Sequence, residues 1–326
     1  MAAAEFRAVF QAHGTPFLAL RETPRFLDGH AEVFIDEVSP LLQRLGLTHV
    51  AAMHLFDGVP GSWTEGARDC CFPTGIPFAV RSVRIDVDAP WPGPEMEREV
   101  GAVLAPGRKV DLKHPKILAR AFLLSDRVYV GQQLWESDPK ALQERHVDNR
   151  PFSSPVSLEP RLARALVNLA VVRPGQSVLD PFCGTGGVLI EAAHMGLDAW
   201  GSDLDPAMVA GARENLSHFG LQGDVVVADV ADATAELGVE EVDAIVSDLP
   251  YGRSSSSGKE SLRPLYRRAF ETAARVLRPG GYAVMGLPDG ESARDVPSGV
   301  EVTDVFLVRS HKSLTRHFVR LRKRSA

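Results

Sequence analysis

The sequence predicts an α/β protein whose second half forms a doubly wound, mostly parallel sheet ending in an antiparallel hairpin, preceded by an α+β region. Two observations support this prediction. After residue 156, apolar segments of strand length alternate with amphipathic helical segments, as in consecutive strand–helix–strand units. Before residue 136, one strand and one helix precede two strands that flank a tight turn, so that sheet is not expected to be wholly parallel.

In the first half, hydrophobic periodicity predicts the individual elements. Residues 82–88 alternate between apolar and charged side chains, with Val87 as the last apolar position, which predicts a half-buried strand. Apolar residues at helical spacing predict a helix between Pro94 and Pro106. Two further strands are predicted at residues 117–124 and 127–134.

In the second half, one helix is predicted with particular clarity. Asp205 is an expected N-cap, Pro206 occupies the first turn and Gly220 ends the helix. Around this helix the apolar runs predict parallel strands at residues 177–180, 199–203, 225–229, 244–248 and 282–287, and the final hairpin at 301–308 and 316–321.

The chain of 326 residues exceeds the usual size of a single domain. A polar, proline-punctuated segment without clear periodicity predicts a linker between the two halves. We predict four consecutive regions, at residues 1–56, 57–135, 136–155 (the linker) and 156–326.

Composition excludes several functional classes. Hydrophobic residues make up 44% of the chain and charged residues 24%, and no apolar run approaches the roughly 18 residues of a membrane span. The N-terminus has neither a basic head nor a long apolar stretch, which predicts a cytoplasmic location. No membrane association is therefore expected. The three cysteines and ten histidines show no metal-ligand spacing, so no metal site is expected either.

Charge is distributed unevenly along the chain. The net charge of -6 argues against a protein that coats nucleic acid non-specifically. Residues 309–324, however, are rich in lysine and arginine and contain no acidic residue, which is typical of a local phosphate-contacting face and equally of a solubilising tail. A second basic surface, or a merely solvated one, is expected around Arg81, Arg84, Lys109, Lys113 and Lys116.

The first motif that carries chemistry is Asp180-Pro-Phe-Cys-Gly-Thr-Gly-Gly187, which follows a predicted strand and opens a helix. In a doubly wound sheet, ligands bind beyond the carboxyl ends of the strands, where glycines let the backbone approach them closely. A dinucleotide site would have a third glycine where Leu189 stands, and a phosphate-binding loop would have a lysine after the glycines. The loop is therefore predicted to bind an adenosyl ligand without phosphates.

Two aspartates follow the next two predicted strands. Asp203 lies about 20 residues after the glycine loop, where a carboxylate can accept hydrogen bonds from both ribose hydroxyls. Asp229 ends the third strand, where it can accept one from an adenine amino group. Singly, each residue is equally typical of a helix cap or a turn. Their place in consecutive units favours a cofactor site.

The motif Asp248-Leu-Pro-Tyr-Gly252 ends the fourth predicted strand. An amino nitrogen on an aromatic base is a poor nucleophile because its lone pair is delocalised into the ring. The Asp248 carboxylate and the Leu249 carbonyl can accept its two N–H bonds, localise that lone pair and aim it at a methyl donor. Tyr251 can stack on an extruded base. The alternative is a simple strand-terminating turn.

These motifs in this order resemble the class I (Rossmann-like) amino-methyltransferases, and more narrowly the archaeal and eukaryotic tRNA guanine N2-methyltransferases acting at position 10. The segments PFAVRSVRID, VGAVLAPGRKVDLKHP and RVYVGQQL resemble a THUMP domain, an RNA-binding module, and residues 1–56 loosely match the family's N-terminal ferredoxin-like domain. The run RPFSSPVS at 150–157 resembles the family segment that folds over the cofactor. Leu249 stands where the family usually has proline, which keeps the carbonyl but alters the pocket wall.

The resemblance implies an enzyme that transfers a methyl group from S-adenosylmethionine to N2 of a guanine in tRNA, with tRNA as its partner. It implies catalytic roles for Asp248, Leu249, Pro250 and Tyr251. The residues it implies for cofactor binding are Pro151, Phe152, Asp180, Phe182, Cys183, Gly184, Thr185, Gly186, Gly187, Asp203, Leu204, Asp229, Val230 and Asp248.

Other functions remain open at this point. The same acceptor chemistry serves another tRNA position, a DNA base or a protein glutamine, and only the N-terminal module argues against the last two. A non-catalytic RNA-binding partner protein would retain the fold, although the intact Asp248 and Tyr251 weigh against it.

Overall fold

The computed structural model describes residues 1–62, 67, 70–154, 157–250, 262–311 and 314–325. The chain begins with a helix at Ala2–Ala12, which is followed by an antiparallel hairpin and a second helix. The hairpin consists of β1 (Leu18–Thr23) and β2 (Phe26–His30), and the second helix spans Ile35–Gln43.

A four-stranded sheet follows. It is built from β3 (Val50–Gly58), β4 (Phe78–Arg84), β5 (Ile117–Leu123) and β6 (Val128–Glu136), in the order β3-β6-β5-β4. The β4/β5 pair is parallel and the other two pairs are antiparallel, which confirms the prediction of a sheet that is not wholly parallel. The predicted helix spans Gly93–Leu104 and buries its apolar residues Met96, Val100 and Leu104.

The predicted strand at 82–88 is wrong in its position. Strand β4 ends at Arg84, and Val87, expected on the buried side, is 83% exposed. The chain turns here because the Asp86 carboxylate accepts hydrogen bonds from the backbone N–H and the hydroxyl of Ser125, at 2.9 and 3.1 Å. The Asp86 carbonyl also accepts one from the N–H of Ala89. Contact with Ser125, which lies between β5 and β6, thus ends a strand that the local sequence pattern of residues 82–88 would continue.

The predicted linker at 136–155 contains ordered structure. A short helix spans Pro139–Gln143, and a 3₁₀ turn spans Val147–Asn149. Beyond the helix, the buried Arg145 forms an ion pair with Glu191, with Nε and Oε1 2.7 Å apart. Glu191 is fully buried and also pairs with Arg164 at 2.9 Å. This ion-paired group holds the segment against the second half of the chain.

The second half contains a seven-stranded sheet in the order β12-β13-β11-β10-β7-β8-β9. Neighbouring strands from β11 to β9 are parallel, whereas β13 is antiparallel to both β11 and β12. The predicted doubly wound sheet with a terminal hairpin is therefore confirmed. Its strands are β7 (Ser177–Asp180), β8 (Asp198–Asp203), β9 (Asp224–Val227), β10 (Val242–Asp248), β11 (Leu277–Leu287), β12 (Val300–His311) and β13 (Leu314–Lys323).

Helices cover both faces of this sheet, and the apolar core lies between them and the strands. Leu166, Leu189 and Ile190 are fully buried in one core cluster, and Phe270 and Met285 in the other. The order of the strands reverses at β7, which has β8 on one side and β10 on the other; this is where doubly wound sheets bind ligands. The covering helices span Pro160–Leu169, Gly187–His194, Pro206–His218, Ala233–Glu236 and Leu262–Val276, with a 3₁₀ turn at Glu291–Ala293.

The first helix of the chain packs against the second half. Glu5 is fully buried, and its carboxylate accepts hydrogen bonds from the backbone N–H groups of Gly46 (2.6 Å) and Leu47 (2.9 Å). It also accepts one from the side-chain amide of Asn168, at 2.8 Å, on helix Pro160–Leu169. The N-terminal residues are thus joined to the second half by buried polar contacts as well as by the chain itself.

Candidate active site

A cavity of about 320 Å³ opens at the carboxyl ends of the parallel strands. It is bounded by the loops that follow β7, β8, β9 and β10, which a parallel sheet brings to one edge. The predicted site residues that line it are Asp180, Phe182, Cys183, Gly184, Thr185, Gly187, Asp203, Leu204, Asp229, Val230, Asp248, Leu249 and Pro250.

Pro151, Phe152 and Gly186 do not line this cavity. The ring of Phe152 lies against Gly211, where a Cβ atom would collide with it. The backbone of Phe152 exchanges two hydrogen bonds with the Asn215 side chain, at 3.0 and 2.8 Å. The segment is thereby attached to helix Pro206–His218, and the residues after it, Ser154, Ser157 and Leu158, are those that reach the cavity. The sequence motif identified the segment, but the site residues predicted within it were Pro151 and Phe152, not these three.

The glycine loop owes its shape to two left-handed residues. Gly184 has φ of +49° and Gly186 +81°, a conformation in which a side chain would be strained. The N–H of Cys183 donates to the Ser202 carbonyl at 2.9 Å, so the loop is tied to β8. Burial raises the pKa of the Cys183 thiol well above its usual value, and this side chain is therefore a neutral part of the wall.

Asp203 at the end of β8 supports the glycine loop directly. One carboxylate oxygen accepts the N–H of Gly184 at 2.9 Å, and the other accepts the N–H of Asp205 at 3.0 Å. Burial raises the pKa of Asp203 above its usual value. Each oxygen has a second lone pair, so the carboxylate can hold the loop and still accept hydrogen bonds from a ligand.

Asp180 lies at the base of the site and is almost fully buried, with 2% of its surface exposed. The hydroxyl of Ser247 donates to its Oδ1 at 2.6 Å, and the N–H of Phe182 donates to the same atom at 3.2 Å. Burial raises the pKa of Asp180 to about 7, and the neighbouring charges of Asp203 and Asp248 act in the same direction. This carboxyl group therefore exchanges its proton near neutral pH.

The cavity wall is strongly acidic. Its described lining includes five aspartates and no lysine or arginine, so a ligand with phosphate groups would be repelled. A ligand that carries positive charge would be attracted, and it would lower the cost of ionising the buried carboxyl groups. The aspartates are Asp180, Asp203, Asp205, Asp229 and Asp248.

Asp229 follows β9 and uses both carboxylate oxygens within the protein. Oδ1 accepts the N–H of Ala231 at 3.0 Å, and Oδ2 pairs with Nη2 of Arg268 at 3.1 Å. Arg268 lies on helix Leu262–Val276, and no sequence motif marked it as a site residue. Only the packing of that helix over the carboxyl edge brings it to Asp229.

The acceptor motif begins at the last residue of β10. Asp248 stands opposite Gly286 of β11, where a Cβ atom would collide with the Asp248 carboxylate. Nη1 of Arg316 on β13 lies 3.4 Å from Oδ2 of Asp248, and the hydroxyl of Tyr266 donates to the Pro250 carbonyl at 2.9 Å. Sequence reasoning did not identify Arg316 or Tyr266 as site residues. Tyr251, predicted to stack on the base, lies outside the described residues.

A larger cavity, of about 620 Å³, lies in the first half of the chain, between the β1–β2 hairpin and the four-stranded sheet. None of the predicted site residues lines it. Over the described ranges, no group of histidine, cysteine, aspartate or glutamate side chains is arranged to hold a metal ion. No helix in those ranges has the length and apolar character needed to span a bilayer.

Comparison with known proteins connects this site to one family. The family model described as UPF0020, the RMKL-like methyltransferase domain, matches residues 148–317. The tRNA (guanine(10)-N2)-dimethyltransferase of Methanothermobacter thermautotrophicus is 40% identical over 247 residues, covering 73% of this chain and 71% of that protein. The enzyme of the same name from Pyrococcus abyssi is 36% identical over 292 residues, covering 85% and 84%.

Solved structures agree with this relationship. The crystal structure of TrmN from Thermus thermophilus is 27% identical, has a TM-score of 0.53 and covers 93% of both chains. The predicted class I methyltransferase fold is confirmed. The chain therefore belongs to the RMKL-like methyltransferase family UPF0020 and, more narrowly, to the tRNA guanine N2-methyltransferases that the sequence motifs indicated.

Proposed function

We propose that this chain is an S-adenosylmethionine-dependent tRNA (guanine-N2)-methyltransferase that acts at position 10. The observation that carries the proposal is the placement of Asp248, Leu249 and Pro250 on the wall of the same acidic cavity that the glycine loop lines. An amino-group acceptor site and a cofactor site must adjoin for methyl transfer in one step. The names of the archaeal relatives supply the base and its position.

The cavity fits S-adenosylmethionine on three observations of the structure. The left-handed Gly184 and Gly186 let the backbone of the loop approach a ligand closely, the charged residues of the described wall are all acidic, and Asp203 has lone pairs beyond those used in its backbone contacts. In this proposal Asp203 holds the ribose hydroxyls, and Asp229 with the backbone of Val230 holds the adenine edge. The bound cofactor supplies an electrophilic methyl group on a sulfonium centre.

The acceptor residues act on the guanine amino group. The Asp248 carboxylate and the Leu249 carbonyl accept its two N–H bonds, which localises the lone pair on nitrogen and aims it into the cavity. Leu249 is fully buried, and its N–H donates to the Gly286 carbonyl at 3.2 Å, so its backbone is fixed. No strong base is needed, since the methylated amino group loses its proton readily after transfer. Tyr251 is proposed to stack on the extruded base.

We assign RNA binding to the first half, with residues 1–56 as a ferredoxin-like part, 57–135 as the THUMP domain and 136–155 as the connection to the catalytic domain at 156–326. The predicted boundary at residue 56 falls within β3. Of the basic residues predicted to contact phosphates, Arg81 and Arg84 donate to backbone carbonyls of their own sheet and its loops. Phosphate contact is therefore assigned to three exposed lysines, Lys109, Lys113 and Lys116. The cytoplasm is the proposed location.

The test is methyl transfer from labelled S-adenosylmethionine to a tRNA transcript with guanosine at position 10. A transcript with adenosine at position 10, a DNA duplex and a protein extract serve as the competing acceptors. We expect label only in the first transcript, and nucleoside mass spectrometry would distinguish one added methyl group from two. Label in both transcripts would show that the methylated nucleotide is not the one at position 10. Label only in DNA or protein would refute the assignment to tRNA.

The acceptor chemistry has its own test. Asp248→Ala should lower the single-turnover rate by about 10²–10³-fold, because the group that orients the amine is lost. Its affinity for S-adenosylmethionine, measured by isothermal titration, should change little. Near-normal turnover by a folded Asp248→Ala variant would contradict the amino-methyltransferase mechanism.

A further inference from the structure

Asp248 has a cationic neighbour that comes from a distant part of the chain. Arg316 lies on β13, which is separated from β10 by β11. Its Nη1 atom lies 3.4 Å from Oδ2 of Asp248, and both side chains are largely buried, at 11% and 14% exposed. A buried carboxylate beside a buried guanidinium is a constrained pair, because separating the two leaves each charge poorly solvated.

The surroundings of Asp248 make this neighbour significant. Asp180 ends the adjacent strand β7, and the negative charges of Asp203 and Asp248 raise its pKa. Once Asp180 ionises, the two carboxylates repel one another, and a positive charge beside Asp248 offsets this repulsion. Gly286, opposite Asp248 on β11, leaves the space in which the carboxylate can approach Arg316.

We infer that Arg316 is a positioning residue for methyl transfer, which holds the Asp248 carboxylate at the acceptor edge of the cavity. The inference rests on the proposed role of Asp248. Amine activation requires the accepting oxygen to be correctly placed, and a displacement of about 1 Å can cost roughly a hundredfold in rate. Arg316 acts through Asp248. It contributes to the chemical step and leaves cofactor binding unchanged.

The test compares three full-length variants with the wild-type protein. Arg316→Met removes the charge and keeps most of the apolar stem, whereas Arg316→Lys restores a cation at the end of a similar chain. Arg320→Met is the matched control: it lies on the same strand, is 16% exposed and breaks an ion pair with Asp304 at 2.6 Å, away from the cavity. Single-turnover methylation is measured at saturating enzyme, with affinities for S-adenosylmethionine and tRNA measured separately.

We expect Arg316→Met to slow the chemical step by about 10–100-fold. Lysine should recover most of the rate, the control should keep it, and cofactor affinity should stay within about twofold in all three. A normal rate in Arg316→Met would overturn the inference. So would a loss of tRNA affinity with an unchanged chemical step, since that result would assign Arg316 to the RNA backbone.

A second measurement needs no substrate and separates this inference from the proposed function. Urea unfolding of Asp248→Asn, Arg316→Met and the double variant forms a thermodynamic cycle. If Arg316 holds Asp248 in place, the double variant should lose less free energy of unfolding than the sum of the losses in the two single variants. Strict additivity would overturn the inference even if the enzyme methylates tRNA. A wild-type protein that methylates no tRNA would refute the proposed function, while the cycle would still decide whether the two residues are coupled.

Discussion

Replacing Asp180 by asparagine should stabilise the protein at neutral and alkaline pH. The pKa of this carboxyl group is raised from 3.8 to about 7 in the folded protein, mainly by burial. As pH rises from about 4, the unfolded chain loses this proton first, so folding stability falls until pH 7 and is level above it. Each pH unit between the two pKa values lowers the free energy of unfolding by about 1.4 kcal/mol, so the full loss above pH 7 is about 4 kcal/mol.

Asparagine removes the titration and keeps the local contacts. Its amide oxygen can accept from the Ser247 hydroxyl and from the N–H of Phe182, as Oδ1 of Asp180 does. The difference in unfolding free energy between Asp180→Asn and wild type should therefore be small near pH 4 and should grow by about 2–3 kcal/mol between pH 5 and pH 8.

The assay is urea unfolding of the cofactor-free protein at half-unit steps from pH 5 to 8.5. Asp224→Asn, at an exposed position at the start of β9, is the control for replacing an aspartate on the same sheet. A difference between Asp180→Asn and wild type that stays constant across this range would refute the reasoning, because it would mean that Asp180 ionises alike in the folded and unfolded states.

Three further predictions concern polar contacts of Asp203, Tyr266 and Glu5. Asp203→Ala should weaken binding of S-adenosylmethionine by at least about tenfold in isothermal titration, because the ribose contact and the support of Gly184 are lost together; unchanged affinity would remove Asp203 from the site. Tyr266→Phe should slow single turnover by about five- to tenfold, which corresponds to one hydrogen bond to Pro250, with cofactor affinity retained; full activity would show that this bond does not fix the acceptor motif. Glu5→Ala should lower the free energy of unfolding by about 1–3 kcal/mol, since the N–H groups of Gly46 and Leu47 would lose their buried acceptor; an unchanged urea midpoint would contradict this.

The parallel strands and the acids at their ends could be predicted because both depend on local sequence. An apolar run of strand length followed by an aspartate places that aspartate at the carboxyl edge of the sheet, whichever strands are neighbours. Asp180, Asp203 and Asp248 therefore met in one cavity as their positions in the chain suggested. The missing lysine after the glycines likewise predicted a ligand without phosphates, and the acidic wall is consistent with that prediction.

Local pattern was insufficient where a distant group decides the outcome. The alternation at 82–88 is genuine, yet Ser125 donates to Asp86 and the strand ends at Arg84. The predicted linker lacks a helical pattern of useful length, yet Arg145 meets a buried carboxylate and the segment becomes ordered. In both places the deciding contact joins residues dozens of positions apart.

The sequence by itself determined the order of the elements, the glycine loop, the acids at the strand ends and the acceptor motif, because periodicity and short motifs are properties of neighbouring residues. Only the tertiary structure decided which side chains support them. Arg316 reaches Asp248 because β13 enters the sheet beside β11, and Tyr266 and Arg268 reach the site because one helix packs across its edge. Such contacts depend on how whole elements pack, and packing energy is shared among many residues that no single motif contains.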